Sequence, residues 1–471
     1  MIDVSPASLA PVEPSLVDVH AGLGTRLVAN VRASALALDI VVVSGVALAL
    51  GLIRLGAPSL WVDEAFTALA THSSFEYTIT FDQYHTLYDS SVRLWAFFAG
   101  TSEWALRLPS VLGAMLSCGL VVVLGRRLVS RWAALASGLF LATSPFVVKW
   151  SQQARGYTLV LALSLAAMLL LLRALERGSR GAWLIYGLVF SAVIVWHPVS
   201  GLVLVPAHVA LVAPRRRSAL PHCLVAAAVI FAVAVPWAAT IAMRTSGEDA
   251  AISWLKFPTP AIAVHALLDV SGVAGLGVLL ALIGLWVLHR AGKVDLAVWL
   301  GIWAFTPFVV ALLVSTIRPI YLDRYLVTAA PAFALLAGVA VTGVGSRMRA
   351  AILAAVVIAT SAGLLQLYAA TDRGNWRGED WKSAVNTVLE RRSESDAIVV
   401  VPWWTNPAAT YYRARVSDVS TADSIWVLVW SETGHELPRA ERRPLGFGDH
   451  RLVEKLQFGW RVSAQHWKRE R

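Results

Sequence analysis

The chain has 471 residues, 57% of them hydrophobic and only 15% charged, with a mean hydropathy of +0.63; this is too apolar for a soluble globular protein of ordinary makeup. The formal net charge of +10 does not point to nucleic acid, because the arginines are spread over loops rather than gathered with aromatics on one face. Cys118 and Cys223 both lie in apolar segments, which argues against a disulfide framework or a thiolate metal site and leaves them as packing residues.

Residues 1–34 carry Pro6, Pro11 and Pro14 among scattered polar residues, with neither an apolar core nor a small-residue cleavage site. They read as a disordered arm, not a cleaved leader. From residue 35 to 369, apolar runs long enough to cross roughly 30 Å of hydrocarbon recur. They fall at about 35–53, 105–125, 132–148, 157–172, 183–196, 199–213, 220–242, 261–288, 296–314, 325–345 and 350–369, which makes about eleven helices.

Arg126, Arg127 and Arg131, then Arg173, Arg177 and Arg180, then Arg215, Arg216 and Arg217, then Arg290 and Lys293, and finally Arg347 and Arg349 all fall in loops on one side of this scheme. The positive-inside rule makes that side, and the N-terminal arm, cytoplasmic. The first loop (58–104), the turns at 149–156 and 315–324, and the tail after residue 370 then face outward from a plasma membrane. Within the first loop, "DQYHTLYDSSVRLWAFFAG" (82–100) interleaves apolar and polar residues as a helix at the membrane interface would.

Charges return every few positions in 371–471. Residues 379–392 and 406–416 read as helices; "DAIVVVP" (396–402) and "SIWVLVW" (424–430) read as strands, and "RLVEKLQF" and "WRVSAQHW" as a final helix and strand. This alternation suits a small α/β unit with a parallel sheet, without a Gly-rich phosphate loop. The fold class is thus an α-helical polytopic membrane protein with a small extracytoplasmic α/β C-terminal domain, divided as arm 1–34, membrane domain 35–370 and external domain 371–471.

"SLWVDEAFTAL" (59–69) sets Asp63 and Glu64 side by side next to Trp61, an interfacial anchor. Charges in such a place are partly desolvated and expensive, and are usually functional. The same loop supplies Asp82, His85 and Tyr88, and other outward turns bring Lys149 and Arg155, then Arg318 and Arg324. Carboxylates and an imidazole facing arginines suit attack by a hydroxyl on a carbon that carries a phosphate leaving group, with a carboxylate taking the proton and guanidinium forks meeting the phosphate. A transporter could carry the same inventory.

The motifs narrow this choice. "LWVDEAFT" (60–67), "DQYHTLY" (82–88), "SEWALRLPSVLGA" (102–114), "SPFVVKWSQQARGYTLVL" (144–161), "RPIYLDRYLVTAAPAFALLAG" (318–338), "DRGNWRGEDWKSAVNTV" (372–388) and, loosely, "WHPVSGLVLVPAH" (196–208) follow one another in order. Together the chain resembles the GT-C membrane glycosyltransferases that use polyprenyl-phosphate sugars, in particular the bacterial mannosyltransferase or family 39-like branch, with a composition suited to an actinobacterium. Gln153 departs from the pattern, standing where that family often has Glu.

The resemblance implies that Asp63 is the catalytic base and that Glu64 is structural or orients the acceptor. It implies donor-phosphate binding by Arg324, with Arg155 and Arg318. Asp82, His85 and Tyr88 form a second acidic or acceptor cluster; Asp63, Asp82 and His85 could ligate a divalent cation (Mg, Mn or Zn). Bland alternatives are a helix cap for Asp82, an interfacial hydrogen bond for His85 and lipid-headgroup anchoring for Arg318 and Arg324. Lys149 reads as an anchor, and His197 and His208 as satisfied buried histidines.

The implied activity is inverting transfer of a sugar, most simply mannose, from a polyprenyl-phosphate donor to a hydroxyl of a cell-envelope glycan, glycolipid or protein, with membrane lipids as surroundings and no nucleic acid. The alternatives are a transporter or lipid flippase, which would show two corresponding halves with interrupted helices, and a binding or scaffold protein on the same fold.

Overall fold

The computed structural model describes residues 16–74, 86–244, 255–273, 275–371, 375–417, 422–431 and 449–470. Helix α1 spans Leu16–Leu52, so the stretch expected to be a disordered arm is helical from Leu16 onward. Seven described helical stretches are long and apolar enough to cross a membrane: Ala33–Leu52, Glu103–Leu128, Tyr157–Arg177, Ala219–Trp237, Val294–Ser315, Asp323–Gly343 and Ser346–Thr371. A bent pair supplies an eighth.

Between α1 and the second long helix lie α2 (Val62–His72) and α3 (Thr86–Ala99). The long helix α4 (Glu103–Leu128) begins at a Ser102 cap, whose hydroxyl accepts from the Ala105 amide. At a rise of about 1.5 Å per residue, α4 separates its first residue from Arg126 and Arg127 near its last turn by most of a bilayer's thickness. α7 (Tyr157–Arg177) likewise starts at the site described below and ends in Arg177.

Two of the expected spans are broken, and a third opens as a 3₁₀ turn. The run 132–148 is α5 (Arg131–Ala142) followed by α6 (Pro145–Ser151), bent by 57°. Pro145 has no amide to continue α5, but fits the first position of α6. The run 261–288 is α11 (Pro260–Val270) and α12 (Leu276–Arg290), broken where Gly272 and Gly275 take φ of +82° and +89°. Residues 180–212 form the short helices α8 (Arg180–Trp196) and α9 (Pro198–Val212), parted at His197 and Pro198. The run 325–345 opens as a 3₁₀ turn, Asp323–Ala329, before α14 (Ala330–Gly343).

The remaining helices are α10 (Arg216–Arg244), α13 (Val294–Ser315) and α15 (Ser346–Thr371). α14, rich in Ala and Gly, packs between α5 and α12 as the buried centre of the helical body. Small side chains let helix backbones approach closely where no hydrophobic driving force separates helix from lipid. His197 and His208 are buried and bonded, His197 Nδ1 to Ser200 and His208 Nδ1 to the Tyr186 hydroxyl.

The C-terminal unit contains α16 (Trp381–Arg391), β1 (Ala397–Val401), α17 (Asn406–Tyr411), β2 (Ser424–Trp430), β3 (His450–Phe458) and β4 (Val462–Arg469). The sheet order is β1-β2-β4-β3; β1 and β2 are parallel and the other pairs antiparallel, so the sheet is mixed where a parallel one was expected. "RLVEKLQF", expected as a helix, is β3. Leu452 and Leu456 satisfy both a helical and a strand spacing, and the short connection to β4 decides for a hairpin.

This unit does not stand apart. Val62 and Ala65 of α2 belong to the same apolar cluster as Trp381, Val385, Ile398 and Leu428, and the Tyr412 hydroxyl accepts from the Leu60 amide at 2.8 Å. On the other side, Gln152 Nε2 donates to the carbonyls of Leu50, Gly51 and Ile53, which satisfies the open end of α1 from the turn after α6. Gln152→Leu leaves these carbonyls without that donor and is expected to cost about 1–3 kcal/mol, measured as a lower unfolding midpoint in detergent.

Candidate active site

The acidic pair divides its work by helix geometry. Successive residues on a helix point about 100° apart, so one of two neighbours can face inward while the other faces out. Glu64 is fully buried. Its Oε1 accepts from Arg107 Nε and the Ala154 amide, each at 2.7 Å, and its Oε2 from Arg107 Nη2 at 2.7 Å and the Trp61 amide at 3.3 Å. With both oxygens occupied, Glu64 has no lone pair suitably placed for a substrate proton. These are the contacts of a structural carboxylate, not of one open to a substrate.

Asp63 keeps its carboxylate at the surface of this packed floor. Its side chain is 32% exposed, and its Oδ2 lies 3.7 Å from Nη2 of Arg324, itself buried. It stands in the first turn of α2, where the helix dipole favours negative charge. Arg155, also buried, donates from Nη1 to the Asp63 carbonyl at 3.1 Å and to the Thr67 hydroxyl at 3.3 Å. Arg155 therefore holds the backbone that presents Asp63.

Arg324 lies among rings: Trp61, Trp150 and Tyr325 have centroids 5.9, 5.8 and 5.6 Å from its guanidinium carbon. Two further cations reach the same wall. Lys149 Nζ sits 3.9 Å from the Trp376 centroid and 4.9 Å from that of Trp150, and 3.8 Å from the Asp323 carboxylate. The Arg377 guanidinium lies 4.2 Å from the Trp61 centroid and 4.9 Å from that of Trp376. Burial, and Arg324 beside it, hold Arg377 below the usual arginine range. Rings of this kind attract cations while keeping water away from them.

The indole nitrogens of Trp61, Trp150 and Trp376 and Nε of Arg377 are buried with no hydrogen-bond partner among the described residues. Buried donors are normally paired, and four orphans in one cluster of rings and guanidinium suit a ligand rich in acceptor oxygens. Nearby, a small cavity is lined by Arg54, Arg107, Lys149, Gln153, Asn375 and Trp376.

Lys149, Asp323, Trp376 and Arg377 were not singled out as ligands by sequence. Lys149, expected to be an anchor, is instead packed between two indoles. Asp323 adjoins Arg324 in the chain, and Trp376–Arg377 follows the helix α15; their apolar or loop surroundings gave no sign that they converge. Arg318 is half-buried in the turn before the 3₁₀ segment. Tyr88 is fully buried with Leu60, Val92 and Ala154. Asp82 and His85 lie outside the described residues.

No three His, Cys, Asp or Glu side chains among the described residues are grouped to hold a metal. Asp82 and His85, the further ligands expected beside Asp63, lie outside the described residues; among the described residues Asp63 is faced by the Arg324 guanidinium.

Glu379 fixes the C-terminal unit to this floor: its Oε2 accepts from the Val62 amide at 3.2 Å and from the Trp381 indole at 3.1 Å. Burial holds its carboxyl above the ordinary value of 4.5, against the opposing pull of Arg377 and Trp381. A raised folded value means that the folded state binds the proton more tightly. The stability from this group is therefore fully present below pH 4.5 and is lost as pH rises through the folded value. Glu379→Gln is expected to flatten that part of the pH dependence of the unfolding midpoint, while the wild type loses stability on the alkaline side.

Residues 91–239 match the family described as dolichyl-phosphate-mannose-protein mannosyltransferase. No curated protein matches the chain. Among solved structures, ArnT from Cupriavidus metallidurans bound to undecaprenyl phosphate is similar over 91% of this chain and 97% of its own, with a TM-score of 0.61 at 15% identity; its apo state gives 0.62 at 14% identity over the same shares. The archaeal oligosaccharyltransferase AglB from Archaeoglobus fulgidus, in complex with an inhibitory peptide and a dolichol-phosphate, is similar over 83% of this chain and 69% of its own, with a TM-score of 0.51 at 12% identity. The chain thus shares its fold with ArnT and AglB, and residues 91–239 match the mannosyltransferase family model.

Proposed function

We propose that the chain is an inverting glycosyltransferase that moves a sugar from a polyprenyl-phosphate donor to an acceptor hydroxyl at the outer face of the plasma membrane. The observation that carries this reading is the single site in which Asp63 stands open beside Arg324, ringed by Lys149, Arg377 and unpaired indole donors. The undecaprenyl phosphate in the ArnT structure and the dolichol-phosphate in AglB support a lipid phosphate as the leaving group. Mannose is supported by the description of the matched family. The basic loops at the far ends of α4 and α7 support the outward orientation.

In this mechanism Asp63 accepts the proton of the acceptor hydroxyl, and the oxygen attacks the anomeric carbon from the face opposite the phosphate. The bond from carbon to phosphate oxygen breaks with its electron pair on the polyprenyl phosphate. Arg324, with Lys149 and Arg377, stabilises that charge; in a site walled by indoles such charges act at low effective dielectric. Direct displacement inverts the anomeric centre. Arg155 and Glu64 act through Asp63, holding the turn that presents it.

The test is transfer from radiolabelled polyprenyl-phosphate mannose, with the arabinose donor in parallel, by protein in nanodiscs supplied with a cell-envelope extract. Asp63→Asn is expected to lose about 10²–10⁴-fold in rate while eluting as folded protein, and Arg324→Gln to raise the donor KM. Equal transfer by wild type and Asp63→Asn removes Asp63 from the chemistry.

A further inference from the structure

We propose that the edge of the C-terminal sheet nearest Asp63 binds the acceptor, and that the acceptor is a glycan chain. This rests on the transferase reading above and gives its second substrate a class. Four segments meet at this edge: the residues after β1, the end of β2, the β3–β4 turn and residues 375–378. Trp404, after β1, packs edge to face on Trp430, at the end of β2, with centroids 4.9 Å apart. The Arg461 guanidinium lies 5.5 Å from the Trp430 centroid and 4.2 Å from that of Trp460.

The amides of Trp460 and Arg461 both donate to the Gly378 carbonyl at 3.0 Å. Gly378 has φ of +72°, and a Cβ there would overlap the Trp460 indole. Only glycine lets that indole seat against the chain next to Arg377. Arg377 in turn covers Trp61, two residues before Asp63. Rings and guanidiniums therefore run without interruption from the sheet edge to the carboxylate.

The chemistry of this track favours a sugar chain. Trp403, next to Trp404, is 70% exposed and Trp460 51% exposed, although indoles bury large areas when they can. A pyranose ring offers an apolar face of C–H groups to such an indole and hydroxyl acceptors at its rim. Nε of Arg461, beside Trp430 and Trp460, is buried with no hydrogen-bond partner among the described residues, placed to meet such acceptors. A lipid chain would need an unbroken apolar lane, and here Arg461 and Arg377 interrupt the rings. Successive sugars along the track would deliver one terminal hydroxyl to Asp63.

The experiment uses the full chain in nanodiscs with the labelled donor and three fractions of the source organism's envelope: delipidated, protease-treated polysaccharide; glycolipid; and protein. Release of polyprenyl phosphate is followed in every sample. The expected result is label in the polysaccharide fraction, with Trp460→Ala and Trp403→Ala each raising the KM for that fraction roughly tenfold, about 1.4 kcal/mol, at unchanged donor KM and unchanged kcat. Trp460→Phe, which keeps an aromatic face, should recover most of the loss.

Label confined to glycolipid or protein, or a polysaccharide KM indifferent to both tryptophans, overturns the glycan site while leaving the transferase reading intact. A rise in donor KM in both variants assigns the tryptophans to the membrane interface and likewise overturns it. Absence of polyprenyl phosphate release in every sample overturns the transferase reading, and the glycan site with it.

Discussion

The buried pair of Glu64 and Arg107 is the constraint from which the site is built. Arg107 has five N–H donors, and all five are used: two on Glu64 and three on the carbonyls of Leu55, Pro58 and Ser59. Glu64 adds the amides of Ala154 and Trp61. One ion pair therefore joins the chain leading into α2, the start of α4 and the turn before α7. A buried pair is not in itself a strong source of stability, because desolvation offsets much of the attraction, but removing one partner strands the other. Its value here lies in position: it locks the first turn of α2 so that the neighbouring carboxylate of Asp63 is aimed at Arg324.

Above this floor the site is cationic and aromatic. Arg324, Lys149 and Arg377 converge on indole faces; Asp63 and Asp323 pair with the first two, and Asp269 and Glu379 lie near Lys149 and Arg377. Burial first, and repulsion from Arg324 second, lower Arg377, and an anionic ligand would offset that repulsion. A phosphate headgroup would thus gain both charge pairing and the unpaired indole donors. The same low-dielectric walls that make the cations costly without a ligand make them effective against charge developing on a leaving phosphate.

The C-terminal unit completes the site instead of merely covering it. Glu379 and Asn375 bond to Val62 and Ser59, Lys382 pairs with Glu103 at 3.0 Å, and Tyr411 donates to the Thr101 carbonyl. Because Val62 and Ala65 lie in its apolar cluster, folding of the sheet and placement of Asp63 are coupled. The site is thus divided between the helical body and the C-terminal sheet.

Much of this was legible in the sequence for a plain physical reason: the cost of burying backbone and charge in hydrocarbon writes itself into composition. The apolar runs announced the helices, the scattered arginines announced which ends share a side, and an acidic pair in so apolar a chain drew attention to Asp63. Asp63 and Arg324, 261 positions apart in the numbering, were both picked out by motif. The breaks within the runs at 132–148 and 261–288 were not, because hydropathy averages across a proline or a pair of glycines that turn the backbone.

Tertiary structure alone decided the rest. Adjacent Asp63 and Glu64 are chemically alike, and only the direction in which the first turn of α2 faces makes one a buried brace and the other an open carboxylate. Lys149, Trp376 and Arg377 became part of the site because helices bring together residues from distant turns, a convergence that local pattern does not encode. β3 is a strand because β4 pairs with it, although its own residues suit a helix as well. Sequence determined which segments enter the membrane and which charges stay out of it, since those follow from transfer free energies of the residues themselves; which charges meet was left to packing between segments far apart in the chain.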